Sequence, residues 1–162
     1  MNINDLTNKY YLSNDFNVLA DKTKHDYQYC VSVLLDTKVD GKSVAEICLT
    51  KLSGAIARRA YEVWLGRGVY LANAVTAVAR KMYSFGMEMG YVESNPFSTF
   101  KRKSAHARKT VWTKEQVRKF LNYCYEDFRY RNLGLIVQMA YEWCQRVGDM
   151  RVLQFSSIDF DK

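Results

Sequence analysis

Apolar residues recur at helical spacing along most of the chain, and the pattern predicts one amphipathic helix after another. Tyr27, Val31, Leu34 and Leu35 share a face of a helix over roughly 22–37. Asp40-Gly41 is a turn signal. Ser43-x-x-Glu46 then reads as a capping box, a hydroxyl and a carboxylate satisfying the free backbone N–H groups of a helix start. Leu52, Ile56, Ala60 and Trp64 lie four apart, on a stripe that ends near Gly66 to Gly68, with Arg58, Arg59 and Glu62 off it. Leu71, Val75, Val78, Met82, Phe85 and Met89 alternate spacings of four and three, a heptad-like seam with Gly90 suited to the C-terminal cap. Stripes of this kind are expected to form a bundle core.

Asn95-Pro96 ends helical structure, because proline disfavours the helical region for its predecessor. From Ser98 to Thr110 apolar periodicity nearly vanishes and basic residues crowd in, which marks a domain boundary. Thr113-x-x-Gln116 is a second capping box, followed by Val117, Phe120, Leu121, Cys124 and Phe128 on one helix and Leu135, Ile136, Met139, Ala140 and Trp143 on the next. A short helical stretch is expected from Gln145 through Leu153, and the chain stops where a strand is expected to start. The reading is all-α, in four parts: a polar segment 1–19, a helical domain 20–97, a basic linker 98–111 and a partial second domain 112–162.

Composition narrows the class. At 162 residues the chain holds one domain or two small ones. It is 48% apolar with a single proline, which excludes collagen-like and low-complexity chains. No apolar run reaches the roughly 18 residues of a membrane helix. Met1 to Asp15 lacks the cationic and apolar parts of a signal peptide, so a cytoplasmic location and no membrane partner are expected. Cys30, Cys48, Cys124 and Cys144 each sit in an apolar helix-like stretch, and no Cys-x-x-Cys occurs. Free buried thiols are expected, with no metal and no cofactor.

Charge changes the picture more. The chain carries 24 Lys and Arg against 17 Asp and Glu, net +7, with pI near 9.2. Residues 1–50 give −2, 51–80 give +4, 81–100 give −1, 101–119 give +7 and 120–162 give −1. An excess gathered in two blocks is the pattern of a footprint on a polyanion, nucleic acid first and an anionic membrane second. Lys101, Arg102, Lys103, Arg108 and Lys109, interleaved with Ser and Thr that also bond phosphates, are expected to contact DNA, the alternative being a flexible, solvated connector. Lys51, Arg58, Arg59, Arg67 and Arg80 either extend that surface or are ordinary solvated helix charges. No catalytic set is complete. Gly66-Arg67-Gly68 lacks the Gly-Lys-Ser/Thr of a phosphate loop, His25 and His106 read as solvated, and Glu126-Asp127 do not share a helix face.

The order of features resembles a known family. Lys22-Thr23-Lys24 with Asp26-Tyr27, Val44-x-x-Ile47, Leu71-Ala72-Asn73, Ala79 to Gly90 and Asn95-Pro96-Phe97 look like the core-binding domain of phage-type tyrosine recombinases (integrases). The basic linker and Trp112-Thr113-x-Glu115-Gln116-Val117 look like the start of their catalytic domain. Cys144-Gln145-Arg146-Val147-Gly148-Asp149-Met150-Arg151-Val152-Leu153, then Ser157-Ile158-Asp159, is similar to the segment with the family's first catalytic arginine, although Ser157 replaces the usual Asp and Cys144-Gln145 a common Thr-Gly. The resemblance implies a SAM-like four-helix core-binding domain and a catalytic domain that close around duplex DNA, with the linker between them. It implies that Arg146 meets the scissile phosphate, where a planar, permanently charged guanidinium stabilises growing negative charge, and that Asp149 supports it.

The departures set the expected function. The family's later residues are a lysine on a β-hairpin, a His-x-x-Arg, a His or Trp and the nucleophilic tyrosine; the 16 residues after Arg146 contain no histidine and no tyrosine. The expectation is a truncated, DNA-binding N-terminal portion of an integrase, serving DNA recombination or viral genome integration and not self-sufficient for strand cleavage. A regulatory module that competes for integrase sites and a helical protein–protein adaptor are the alternatives. The Leu135 to Trp143 helix lacks a covering sheet, so an exposed apolar patch is expected, with self-association or docking to other integrase subunits or to a missing catalytic part.

Overall fold

A computed structural model describes residues 1–105, 109–154 and 156. The fold is all-α: the described residues form eight α-helices and one two-stranded hairpin of two residues per strand. None of these helices is long and apolar enough to cross a membrane. The chain divides into two compact units, Met1–His106 and Ala107–Lys162.

The first unit is built around α5 (Val69–Glu88), against which α1 (Ile3–Tyr11), α3 (Asp21–Leu35), α4 (Gly54–Leu65) and a 3₁₀ turn at Pro96–Ser98 all pack. The seam predicted for this helix is its core face: Val75, Val78, Met82 and Phe85 are buried. Leu71 is half-buried, and Met89, at the C-cap, is exposed. Gly90 turns the chain at φ 71°, a left-handed conformation that favours glycine, and the N–H of Tyr91 returns to the carbonyl of Gly86 at 2.7 Å. Gly86 also lets α1 approach, since a Cβ there would lie 3.3 Å from Leu6 Cδ1. On the Leu52–Ile56–Ala60–Trp64 stripe, all but the half-buried Ile56 are buried.

Two local expectations are corrected. Residues 1–19 are not a polar appendage. Asn2 and Asp5 cap α1 reciprocally, each accepting the other's backbone N–H at 2.9 Å, and Ile3, Leu6 and Tyr10, spaced three and four apart, are fully buried in the core. A second short helix, α2 (Asn14–Asn17), buries Phe16 beside them. Ser43-x-x-Glu46 opens no α-helix either. Ser43 ends the hairpin of β1 (Lys38–Val39) and β2 (Lys42–Ser43), its hydroxyl donates to the Leu35 carbonyl at 3.4 Å, and only a 3₁₀ turn, Val44–Glu46, follows. Asp40-Gly41, both at positive φ, form the tight turn between the strands. Trp64 fastens α4 to this region through Nε1–H to Thr37 Oγ1 at 2.7 Å, a buried bond.

The second unit comprises α6 (Lys114–Glu126), a 3₁₀ turn at Phe128–Tyr130, α7 (Arg131–Trp143) and α8 (Val147–Arg151). The Thr113–Gln116 capping box is formed, with bonds of 2.8 and 3.2 Å. Helices α6 and α7 meet closely at Gly134, where a Cβ would stand 2.8 Å from the Cβ of Cys124. Among the described apolar side chains of this unit, Val117, Cys124 and Met150 are buried, whereas Leu135 and Trp143 remain about half exposed. Cys144 corrects the expectation of buried thiols: it is exposed and ends α7 in the left-handed region at φ 52°. Cys48 is only half-buried, beside the Thr50 hydroxyl that lowers its thiol pKa.

Candidate nucleic-acid interface

The basic run Lys101-Arg102-Lys103 belongs to the first unit and is held by its backbone. The Lys103 N–H donates to the hydroxyl of Tyr61 at 2.7 Å, and that hydroxyl donates onward to Asn73 Oδ1 at 2.9 Å. Asn73 Nδ2–H donates to the Lys103 carbonyl at 2.9 Å, closing the loop. Tyr61 sits on α4 with its ring buried, and Asn73 sits on α5 among apolar neighbours. Both peptide groups of Lys103 are thus anchored on helices, while Lys101, Arg102 and Lys103 are exposed. The adjoining turn is fixed as well. Asn95 caps Phe97 N–H at 3.1 Å and donates to the Arg80 carbonyl at 2.8 Å, and Phe97 stacks with Trp64 at 6.3 Å between ring centroids.

Arg80, expected from the sequence to contact DNA, has its guanidinium engaged with the protein backbone. Its Nε–H donates to the Phe97 carbonyl and its Nη2–H to the Phe100 carbonyl at 2.8 Å, so the guanidinium ties the 97–100 backbone onto α5. Partial burial lowers its pKa, and the nearby Arg102 adds to that. The sequence shows a basic residue on an apolar helix; it does not show which way the guanidinium is spent.

The other basic residues of 51–80 divide. Arg58 bonds Glu62 at 3.0 Å and lies 5.7 Å from the Tyr61 and Phe100 ring centroids. Arg59 pairs with Asp40 at 2.6 Å, an acid brought in from outside that block by the hairpin. Lys51 and Arg67 are exposed, with no ion pair formed by either to a described residue. The block's excess of charge is therefore smaller in space than along the chain. Such exposed ion pairs are weak and can be exchanged for a phosphate.

In the second unit Lys109 is exposed; Arg108, His106 and Ser157 to Asp159 lie outside the described residues. Arg146 is the exposed N-cap of α8, its carbonyl accepting from Asp149 N–H at 3.0 Å. The Asp149 side chain forms no ion pair with Arg146. The partners of the basic run, Tyr61 and Asn73, are the site residues that sequence reasoning missed. The available signal was an amide interrupting the apolar run Leu71-Ala72-Asn73-Ala74-Val75.

No family model and no curated protein matches the chain. Among solved structures it is similar to a lambda integrase dimer bound to a COC' core site, with a TM-score of 0.77 over 98% of this chain at 14% sequence identity. The match takes in 43% of the integrase chain, so this chain spans less than half the length of that one. At that identity the likeness is one of fold.

Proposed function

We propose that this chain is a DNA-binding portion of a tyrosine recombinase, gripping duplex DNA through its basic residues. The observation that carries the reading is the Lys101–Lys103 run, anchored backbone-first with its three cationic side chains exposed, Arg102 also donating to the Asn73 carbonyl at 3.4 Å. Anchoring matters because exposed like charges repel one another, and holding them together is favoured only when an anion relieves the repulsion. The solved structure of similar fold is a DNA-bound integrase dimer, which supports both the ligand and self-association. Arg108 and Lys109, with exposed Lys51 and Arg67, supply further phosphate contacts.

Arg146 takes the part of a phosphate-binding arginine, presented at a helix start and exposed to solvent. Transition-state charge on non-bridging oxygens is met by its two-pronged guanidinium. No tyrosine follows Arg146 in these 162 residues, so strand cleavage requires a nucleophile from elsewhere. The test is duplex binding of the chain with alanine at Lys101, Arg102, Lys103, Arg108 and Lys109, measured across a salt series. Each lost phosphate contact lowers the slope of log K against log salt by about 0.9, so the slope is expected to fall by about 4.5. Unchanged affinity at low salt refutes the reading.

A further inference from the structure

We propose that Tyr61 and Asn73 are positioning residues for DNA binding: they hold the 101–103 backbone in the conformation that takes a sugar–phosphate stretch. This rests on the DNA-binding reading above and adds to it the groups that shape the site. The basic run borders an open cleft of about 660 Å³, whose lining includes Arg80, Ser98, Lys101, Arg102 and Lys103 and no carboxylate among the described residues. Arg80 lines this cleft with its guanidinium already bonded to the Phe97 and Phe100 carbonyls, so the exposed Lys101, Arg102 and Lys103 are the groups left for an anion.

The geometry separates shaping from binding. The side chains of Tyr61 and Asn73 bond Lys103 at its N–H and carbonyl and carry no charge themselves, while the bond from Arg102 goes to the Asn73 backbone carbonyl, which Asn73→Ala keeps. Their bonds span 42 and 30 residues of sequence, tying the run to α4 and α5 at once. Without them the segment samples many conformations, and binding must order it first. The loss appears in affinity and leaves the number of neutralised phosphates alone.

The experiment compares wild type, Tyr61→Phe, Asn73→Ala and the double variant for binding to a duplex DNA across a salt series. Hydrogen exchange at the Lys103 amide and thermal unfolding are measured alongside. Phenylalanine keeps the buried ring, and alanine is the best helix former, so α4 and α5 persist. Each single variant is expected to bind about tenfold more weakly with an unchanged salt slope. The Lys103 amide exchanges faster in both. The double variant is expected to lose little beyond either single one, because a segment already released gains nothing from a second release. Wild type that ignores duplex DNA overturns the DNA-binding reading itself. Wild type that binds, with variants matching it in affinity or losing salt slope, overturns the positioning role alone.

Discussion

Replacing Arg80 by alanine distinguishes two uses of a basic residue that look the same in sequence. Arg80 donates to the carbonyls of Phe97 and Phe100, and these bonds carry the turn that precedes the basic run. Hydrogen bonds from a charged donor contribute about 1.5–3 kcal/mol each, and the lower end applies because the side chain is only partly buried. Two such bonds place the loss near 3 kcal/mol. For a unit of this size, 1 kcal/mol moves Tm by about 4–8 °C, so a fall of roughly 12 °C or more is expected. A phosphate ligand behaves in the opposite way, leaving Tm nearly still and lowering the salt slope by about 0.9. Calorimetry and a salt titration on Arg80→Ala, with Lys101→Ala as the exposed control, read both quantities. An unmoved Tm together with a reduced slope refutes the structural role of Arg80.

Trp64→Phe removes the donor to Thr37 Oγ1 from a buried site and is expected to destabilise the first unit by about 2 kcal/mol, read by chemical denaturation. Gly134→Ala forces a methyl group to within 2.8 Å of the Cys124 Cβ; overpacking by about 1–3 kcal/mol outweighs the helix propensity gained, and the second unit is expected to lose helix on milder heating. High pH is expected to unfold the first unit. Burial raises Tyr10 to about 12, and its hydroxyl has no hydrogen-bond partner among the described residues. Unfolded tyrosine ionises near 10, so between these values the unfolded state holds fewer protons. Stability from Tyr10 is complete below pH about 10 and lost as pH rises towards 12, by about 2 kcal/mol, followed by circular dichroism against tyrosinate absorbance. An unfolding midpoint insensitive to pH across that window contradicts the assignment.

How far the sequence was legible depended on whether the deciding contact was local. The α5 seam was visible because four- and three-residue spacings persisted over many turns, and Thr113-x-x-Gln116 because a capping box is complete within four residues. The same spacing logic misled at Ser43-x-x-Glu46, where the preceding hairpin claims the serine hydroxyl. Ile3, Leu6 and Tyr10 were hidden by the polar residues around them, although three well-spaced apolar positions suffice for a nine-residue helix resting on a larger core. Lys101–Lys103 stands out as a candidate by charge alone. Its supports were out of reach, because Tyr61 and Asn73 meet it only after α4, α5 and the Asn95–Phe100 turn have been assembled.

A hold on peptide groups is blind to side chains. Lys103 is gripped by its amide and its carbonyl, so nineteen of the twenty amino acids could occupy that position without disturbing the grip; proline, lacking the N–H, is the one that breaks it. The side chain at the tip of this surface is thereby free to change while the frame behind it stays put.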